Sequence, residues 1–285
     1  MGRTENINVF QDTMNLCKNN DRIRESVHNS AQRQKLILEG DTIAEPEKNR
    51  YQEAAQITVS KKRTFEAAAA YKDTKTAVHN FASASNPGGG VERGANAQEE
   101  CLCRCSGLFN CLNTPDVWSG FYMAHRSAHD PIHNDDIIYT PDVLVFKSDT
   151  VRPELLNEAD WYPVDVITCA APNLREKPDN AFNTGDGRDA VKITHKELLA
   201  IHEKRLQRIL DVALDHGVET IVLGAFGCGA FMNDPNIVAQ ASKNVVNEYL
   251  YAFKNIEFAV YCSPNDDTNY RIFDRVLNQK RKRNK

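Results

Sequence analysis

Apolar positions recur at helical spacing at the start of the chain: Ile7, Phe10, Met14 and Cys17 fall three or four residues apart before the polar break Asn19-Asn20-Asp21. This spacing predicts one or two helices up to about Gln34, forming a helical cap. Short apolar runs follow with the length and branched content of strands, at Leu36-Ile37-Leu38, Ile57-Thr58-Val59 and Ala77-Val78-His79-Asn80-Phe81. An alanine-rich helix from Thr64 to Tyr71 separates the last two. The alternation is clearer later, with strands expected at Val143 to Phe146, Val164 to Ala170, Thr220 to Leu223 and Ile256 to Tyr261. Helices near Asp189 to Asp215 and Pro235 to Phe253 are long enough to cover a sheet face. Strands and helices in this order predict an α/β fold, a layered sandwich whose loops gather at one sheet edge, where ligands usually bind. The chain reads as a helical extension at 1–34, one large α/β domain at 35–279 and a basic tail at 280–285. The stretch from Pro172 to Gly187, rich in Asn, Asp and Gly, reads as a long surface loop.

Composition narrows the class without changing this picture. The chain has 285 residues, 41% hydrophobic and 26% charged, enough to bury a sizeable core. Its first residues lack an export signal and no apolar run approaches a membrane span, so a soluble, cytoplasmic protein is expected. A net charge of -4 argues against broad nucleic-acid binding, and DNA is not an expected partner. Lys280, Arg281, Lys282, Arg283 and Lys285 form the basic tail, read as a solvated terminus. The protein is expected to act as a monomer.

Eight cysteines without an export signal read as reduced, buried thiols. Cys101, Cys103 and Cys105 alternate rather than follow zinc-knuckle spacing, and on a helix Cys103 points away from the face shared by the other two. His125, His129 and His133 recur every four residues beside Asp130, Asp135 and Asp136, but Pro131 breaks the helix that would align them. They read as a solvated polar loop, and His79, inside a strand, as a half-buried, hydrogen-bonded histidine. No metal and no cofactor are expected.

The chemistry concentrates in two glycine-rich loops, each following a strand. Asn86-Pro87-Gly88-Gly89-Gly90 is followed, after seven residues, by Gln98-Glu99-Glu100 opening a helix. Adjacent glycines let backbone N–H groups approach a phosphate or sugar. The turn lacks the lysine of a P-loop and the spacing of a dinucleotide fingerprint. The second loop runs Gly224-Ala225-Phe226-Gly227-Cys228-Gly229-Ala230-Phe231, ahead of Asn233-Asp234-Pro235. Together the loops are expected to clasp a diphosphate from both sides through backbone donors. Phe226 and Phe231 suit either a ribose or adenine surface or the core.

With Gly88-Gly89-Gly90, Gln98-Glu99-Glu100 and Gly227-Cys228-Gly229 at this spacing, the sequence resembles the microbial-type poly(ADP-ribose) glycohydrolases. The resemblance extends through Asn86-Pro87, Arg104 to Leu108, Tyr139 to Val143 and Ala170-Ala171-Pro172-Asn173. It implies a macrodomain-like three-layer α/β/α sandwich with a mixed central sheet that grips ADP-ribose. It also implies that Glu100 is the general acid, that Glu99 hydrogen-bonds ribose hydroxyls and that Asn86 is a candidate for orienting the distal ribose. The partners so implied are poly(ADP-ribose) or ADP-ribosylated proteins, with ADP-ribose as product and action from chain ends. Glycosidic cleavage independently needs a proton for the leaving oxygen, so the acid must resist ionisation near neutral pH. A helix N-terminus favours the carboxylate whereas a neighbouring carboxylate and a diphosphate disfavour it, and the anions are expected to win. The same pocket admits two alternatives, a mono-ADP-ribosyl-protein hydrolase and a non-catalytic ADP-ribose reader. The Glu99-Glu100 pair argues against the reader.

Overall fold

A computed structural model describes residues 1–278, so the basic tail at 280–285 lies outside the described residues. The periodic N-terminal stretch forms α1 (Arg3–Asn19) and α2 (Asp21–Gln32), divided at Asn20, whose side chain accepts from the Ile23 N–H and caps α2. Then come β1 (Lys35–Ile37), β2 (Gln56–Ser60), α3 (Thr64–Ala68), β3 (Thr76–Ala82), α4 (Gln98–Cys105), α5 (Leu108–Leu112), α6 (Pro115–Val117) and α7 (Met123–Ala128). The chain continues through β4 (Ile137–Val145), β5 (Tyr162–Ala170), α8 (His195–Asp215), β6 (Thr220–Leu223), α9 (Pro235–Val246), β7 (Asn255–Ala259) and α10 (Thr268–Leu277). Among the described residues no helix is long and apolar enough to cross a membrane.

The strands form one mixed sheet in the order β1-β4-β5-β3-β6-β7-β2, antiparallel at the β1-β4 and β4-β5 pairings and parallel elsewhere. Strand alternation sends Ala77, Ile167, Cys169, Ile221 and Leu223 to a face covered by α8, α9 and α10. It sends Val78, Val164, Val166 and Val222 to the opposite face, against α1, α3, α4 and α5. The result is the three-layer α/β/α sandwich, with the carboxyl ends of the parallel strands feeding both glycine-rich loops.

Element ends depart from expectation for local reasons. β4 begins at Ile137, ahead of Val143, because a bulge between Thr140 and Val143, with Asp142 at φ 50°, interrupts the alternation that would reveal it. α8 begins only at His195, since Thr194 accepts from the Glu197 N–H and caps it there. α9 stops at Val246, and the following turns bury Tyr249 and Phe253.

The helices at 1–34 share the core with the rest. Phe10 sits edge-on to Phe109, with ring centroids 4.9 Å apart. Lys147 is 3% exposed, with its Nζ 2.7 Å from Asp12 and donating to the Val9 carbonyl and Thr13 Oγ1. Thr13 Oγ1 donates to the Arg104 carbonyl in α4. A helix joined this way is integral. Phe10→Ala should therefore destabilise the protein by about 3–5 kcal/mol in chemical denaturation, as for a core phenylalanine. A loss below about 1 kcal/mol would make α1 a detachable appendage.

Candidate active site

The turn after β3 is shaped around two carboxylates at the start of α4. Glu99 accepts from the Ser83 N–H at 2.8 Å and from Asn80 Nδ2 at 3.2 Å. Glu100 Oε1 accepts from the Gly90 N–H at 3.0 Å, while its Oε2 is buried without a hydrogen-bond partner. Gly89, at φ 59°, passes so close that a Cβ there would lie 2.6 Å from Glu100 Oε1 and 3.2 Å from Glu99 Oε2. Only glycine permits this approach. Burial pushes the Glu99 carboxyl up to about 8, with Glu100 adding to the rise against the opposing pull of the Ser83 amide and Asn80.

The remaining residues of this segment mostly build the turn. Gly88 and Gly90 lack side chains because Phe109 and Cys103, and Ala95 and Phe182, occupy the space a Cβ would need. Gln98 Oε1 accepts from the Phe81 N–H and its Nε2 donates to the His79 carbonyl, clamping α4 to the end of β3. Asn86 donates to the Thr184 carbonyl at 2.9 Å, holding the 172–187 loop rather than facing the cleft. Buried Arg104 donates to the Ala95 carbonyl and Asn96 Oδ1, fixing the approach to α4.

Glu99 and Glu100 open onto a cleft of about 630 Å³. Its other wall includes Gly227, Gly229, Ala230 and Phe231. The two loops differ in what they offer a ligand. The Gly89, Gly90 and Val91 amides donate to Asn86, Glu100 and Gly88, so the first turn has used its donors internally. Among the described residues, the Gly229, Ala230 and Phe231 amides donate to no protein acceptor. The two-sided clasp expected of the loops is thus not matched by the donors: free amides lie on the second loop alone, opposite two carboxyl groups. Asn233 braces that loop, its Nδ2 donating to the Pro172, Gly227 and Phe231 carbonyls and its Oδ1 accepting from His202 Nε2 at 2.8 Å.

Three residues expected at the ligand lie behind the cleft wall. Phe226 packs against His79 and His202 in the core, its ring 4.4 Å and 5.5 Å from theirs. Gly224 lets β6 approach the Ala259 carbonyl and Phe81, and Cys228 folds back so that its Sγ lies 3.7 Å from the Phe226 carbonyl. Burial raises the Cys228 thiol well above its ordinary range.

The histidine expectations are corrected except at His129, which is exposed as expected of a solvated loop. His79 is fully buried with its Nε2 unpartnered, and burial, with His202 nearby, lowers it to about 3. His125 and His133 are also buried, unlike a solvated loop: His125 Nε2 lies 3.5 Å from Asp136 and His133 Nε2 3.3 Å from Asp186. Neither Nε2 completes a hydrogen bond there, whereas His133 Nδ1 pairs with the Ala171 carbonyl at 2.8 Å. The 172–187 stretch is likewise more than a surface loop. Burial opposes ionisation of Asp186, yet His133, Asn173 and Asn183 hold its carboxyl down at about 2. Asp186 accepts from Ser85 Oγ, and Asn183 Oδ1 from Ser83 Oγ, so the loop is stitched onto the turn that follows β3. All eight cysteines are free thiols, and among the described residues no three potential ligands converge on a metal position.

Sequence reasoning missed the cations and aromatics of the cleft. Arg63 lies with its guanidinium carbon 3.9 Å from the Tyr261 ring, and both line the cleft beside Asp149. Burial raises Asp149 to about 6. Arg175 also lines the cleft and its Nε donates to the Ala230 carbonyl of the second glycine-rich loop. Phe182 reaches the cleft from the 172–187 loop. None of these carries a motif, since each arrives from a different loop.

The family model for microbial-type PARG, catalytic domain, matches residues 4–148, which include α1 and both glutamates. The chain belongs to the microbial-type poly(ADP-ribose) glycohydrolase family. A glycohydrolase of this type from Thermomonospora curvata is similar at 29% identity over 96% of this chain and 100% of that one, with a TM-score of 0.79. The same bacterial protein bound to the inhibitor ADP-HPD matches at 28% identity, covering 96% and 99% of the two chains, with a TM-score of 0.78. A glycohydrolase from Deinococcus radiodurans in complex with ADP-ribose matches at 31% identity, covering 88% and 96%, with a TM-score of 0.74. No curated protein matches the chain. Membership of the family agrees with the fold expected from sequence.

Two outcomes follow from the geometry. Gly89→Ala should leave the protein folded but reduce turnover at least a hundredfold, because its Cβ would displace the Glu100 carboxylate. Normal turnover would show that this approach is not needed. A carboxyl held up at about 8 favours the folded state below its unfolded value of 4.5 and loses that contribution as pH rises through 8. The melting temperature of the ligand-free protein should therefore fall between pH 5 and pH 8 by more in the parent than in Glu99→Gln. Parallel curves would contradict the raised value.

Proposed function

We propose that the chain is a poly(ADP-ribose) glycohydrolase that hydrolyses ribose–ribose bonds with Glu100 as general acid and base. One observation supports this most: Glu100 Oε2 is buried, unpartnered and at a cleft whose far wall presents free amides suited to a diphosphate. A buried, unsatisfied carboxylate oxygen costs about 1–3 kcal/mol unless a ligand group completes it. A leaving ribose oxygen does so when it accepts the proton that Glu100 carries.

The reaction runs in two proton transfers. Glu100 gives its proton to the leaving ribose oxygen as the bond to the anomeric carbon breaks, leaving positive charge on the retained ribose. Water then adds to that carbon and returns its proton to Glu100. The Gly229–Phe231 amides hold the diphosphate on the retained side, where its negative charge offsets the charge of the ring. Glu99, fixed by Ser83 and Asn80, accepts from ribose hydroxyls and orients the sugar. Adjacent helical residues diverge by about 100°, so the two carboxylates divide these tasks. A cleft of about 630 Å³ fits one nucleotide diphosphate sugar, which favours action from a polymer end. We further propose a monomer acting in the cytoplasm, with released ADP-ribose as product.

Glu100→Gln should lower polymer cleavage by 10²–10⁴-fold, the range of general acid catalysis, with ADP-ribose affinity within a few-fold of the parent. Polymer and a mono-ADP-ribosylated protein incubated in parallel test the substrate class: release of ADP-ribose from polymer is expected. Unchanged polymer turnover by Glu100→Gln would remove this residue from the catalytic role.

A further inference from the structure

Cleavage of a ribose–ribose bond leaves a nucleotide on the far side of the cut. The departing ribose belongs to the adenosine of the next unit, with an adenine and a diphosphate attached. No residue used so far contacts that unit. Beside the anchor of Glu100 lies an unused group that suits it.

Phe182 lines the cleft yet is 36% exposed. A Cβ on Gly90, the residue whose N–H holds Glu100, would lie 3.0 Å from the Phe182 Cβ and 3.1 Å from its Cδ1. Arg93 Nη2 donates to the Phe182 carbonyl at 3.1 Å, and the Arg3 guanidinium carbon is 5.3 Å from the ring centroid. The start of α1 is held here: Arg3 Nε donates to the Arg93 carbonyl, and buried Asn6 donates to the Gly94 carbonyl. Gly94, at φ 77°, leaves room for the Arg3 backbone. Among the described residues neither guanidinium forms an ion pair. In a chain of net charge -4, two arginines without ion pairs thus flank an aromatic ring that lines the cleft beside Gly90, the residue that holds Glu100.

We propose that Phe182, Arg3 and Arg93 form a subsite for the polymer unit beyond the scissile bond. Phe182 stacks on its adenine, and the two guanidiniums face its diphosphate. A base gains from an aromatic face whatever its identity, and a phosphate gains from arginine with strong salt dependence. The subsite rests on the proposed function and extends it: the N-terminal helix supplies part of the polymer grip, so the enzyme distinguishes a chain end from a lone ADP-ribose.

Calorimetry on the Glu100→Gln variant, with ADP-ribose and with the two-unit oligomer as ligands, tests this. The oligomer should bind on the order of tenfold more tightly than ADP-ribose at low salt, with a gap that narrows as salt rises. Phe182→Ala, and separately the Arg3→Ala/Arg93→Ala pair, should remove most of the gap while moving ADP-ribose affinity less than about twofold, and Phe182→Trp should keep it. Equal affinity for the two ligands, or a gap that survives both truncations, would overturn the subsite. Equal losses for both ligands would also overturn it, by placing Phe182 in the pocket of the terminal unit. If Glu100→Gln still cuts the oligomer, the catalytic assignment fails, and the subsite is then read from the same differences in KM.

Discussion

Two neighbouring carboxylates held out of water against a glycine backbone are the constraint on which the site depends. Glu99 and Glu100 are adjacent in α4 and both are almost fully buried, so ionising one opposes ionising the other, and Glu99 is held up at about 8. Backbone amides from Ser83 and Gly90 accommodate them, and Gly89 has no Cβ to keep them away. Everything around the turn serves to keep it in this shape: Gln98 clamps the helix to β3, Arg104 braces its approach, and the Asn173–Asp186 loop closes over its back. The remaining cost is visible at Glu100, whose second oxygen is buried without a hydrogen-bond partner. This is electrostatic preorganisation on a small scale.

The second consequence is a division of labour between the loops. A turn that has used its amides to hold carboxylates cannot also bind an anion. Free donors are found instead in the Gly227–Phe231 loop, where Asn233 takes up the carbonyls and the Gly229, Ala230 and Phe231 amides donate to no acceptor among the described residues, so the proposed diphosphate site lies there. Arg63 and Arg175 add positive charge along the same cleft without a broad basic surface, in keeping with the slightly acidic chain. Acidic groups at one wall and donors at the other suit the proposed substrate, whose sugar must meet the acid and whose phosphates must not.

Much of this was legible because it is local. The Gly88-Gly89-Gly90 and Gln98-Glu99-Glu100 spacing encodes a turn and a helix start on adjacent chain, and all the strands of the sheet were found as apolar runs, although only part of β4. What was not legible depends on which segments meet. Phe226 and Phe231 look alike in sequence, and only the packing of His79 and His202 sends Phe226 inward. His133 reads as a polar loop residue until Asp186, fifty-three positions later, is seen beside it. The N-terminal helices carry no motif because their tie to the site runs through Lys147, Phe109 and the Gly94 carbonyl, which lie far along the chain. The bulge at Asp142 hid half of β4 by breaking the period on which recognition of a strand depends.

The central claim is a matter of position: the carboxyl of Glu100 meets the anomeric oxygen of a bound sugar. A crystal structure with ADP-ribose tests it most directly. The diphosphate is expected on the Gly229–Phe231 amides and the anomeric hydroxyl within about 3 Å of Glu100, at its unpartnered oxygen. A sugar seated with its anomeric carbon turned away from Glu100 and toward open solvent would contradict it.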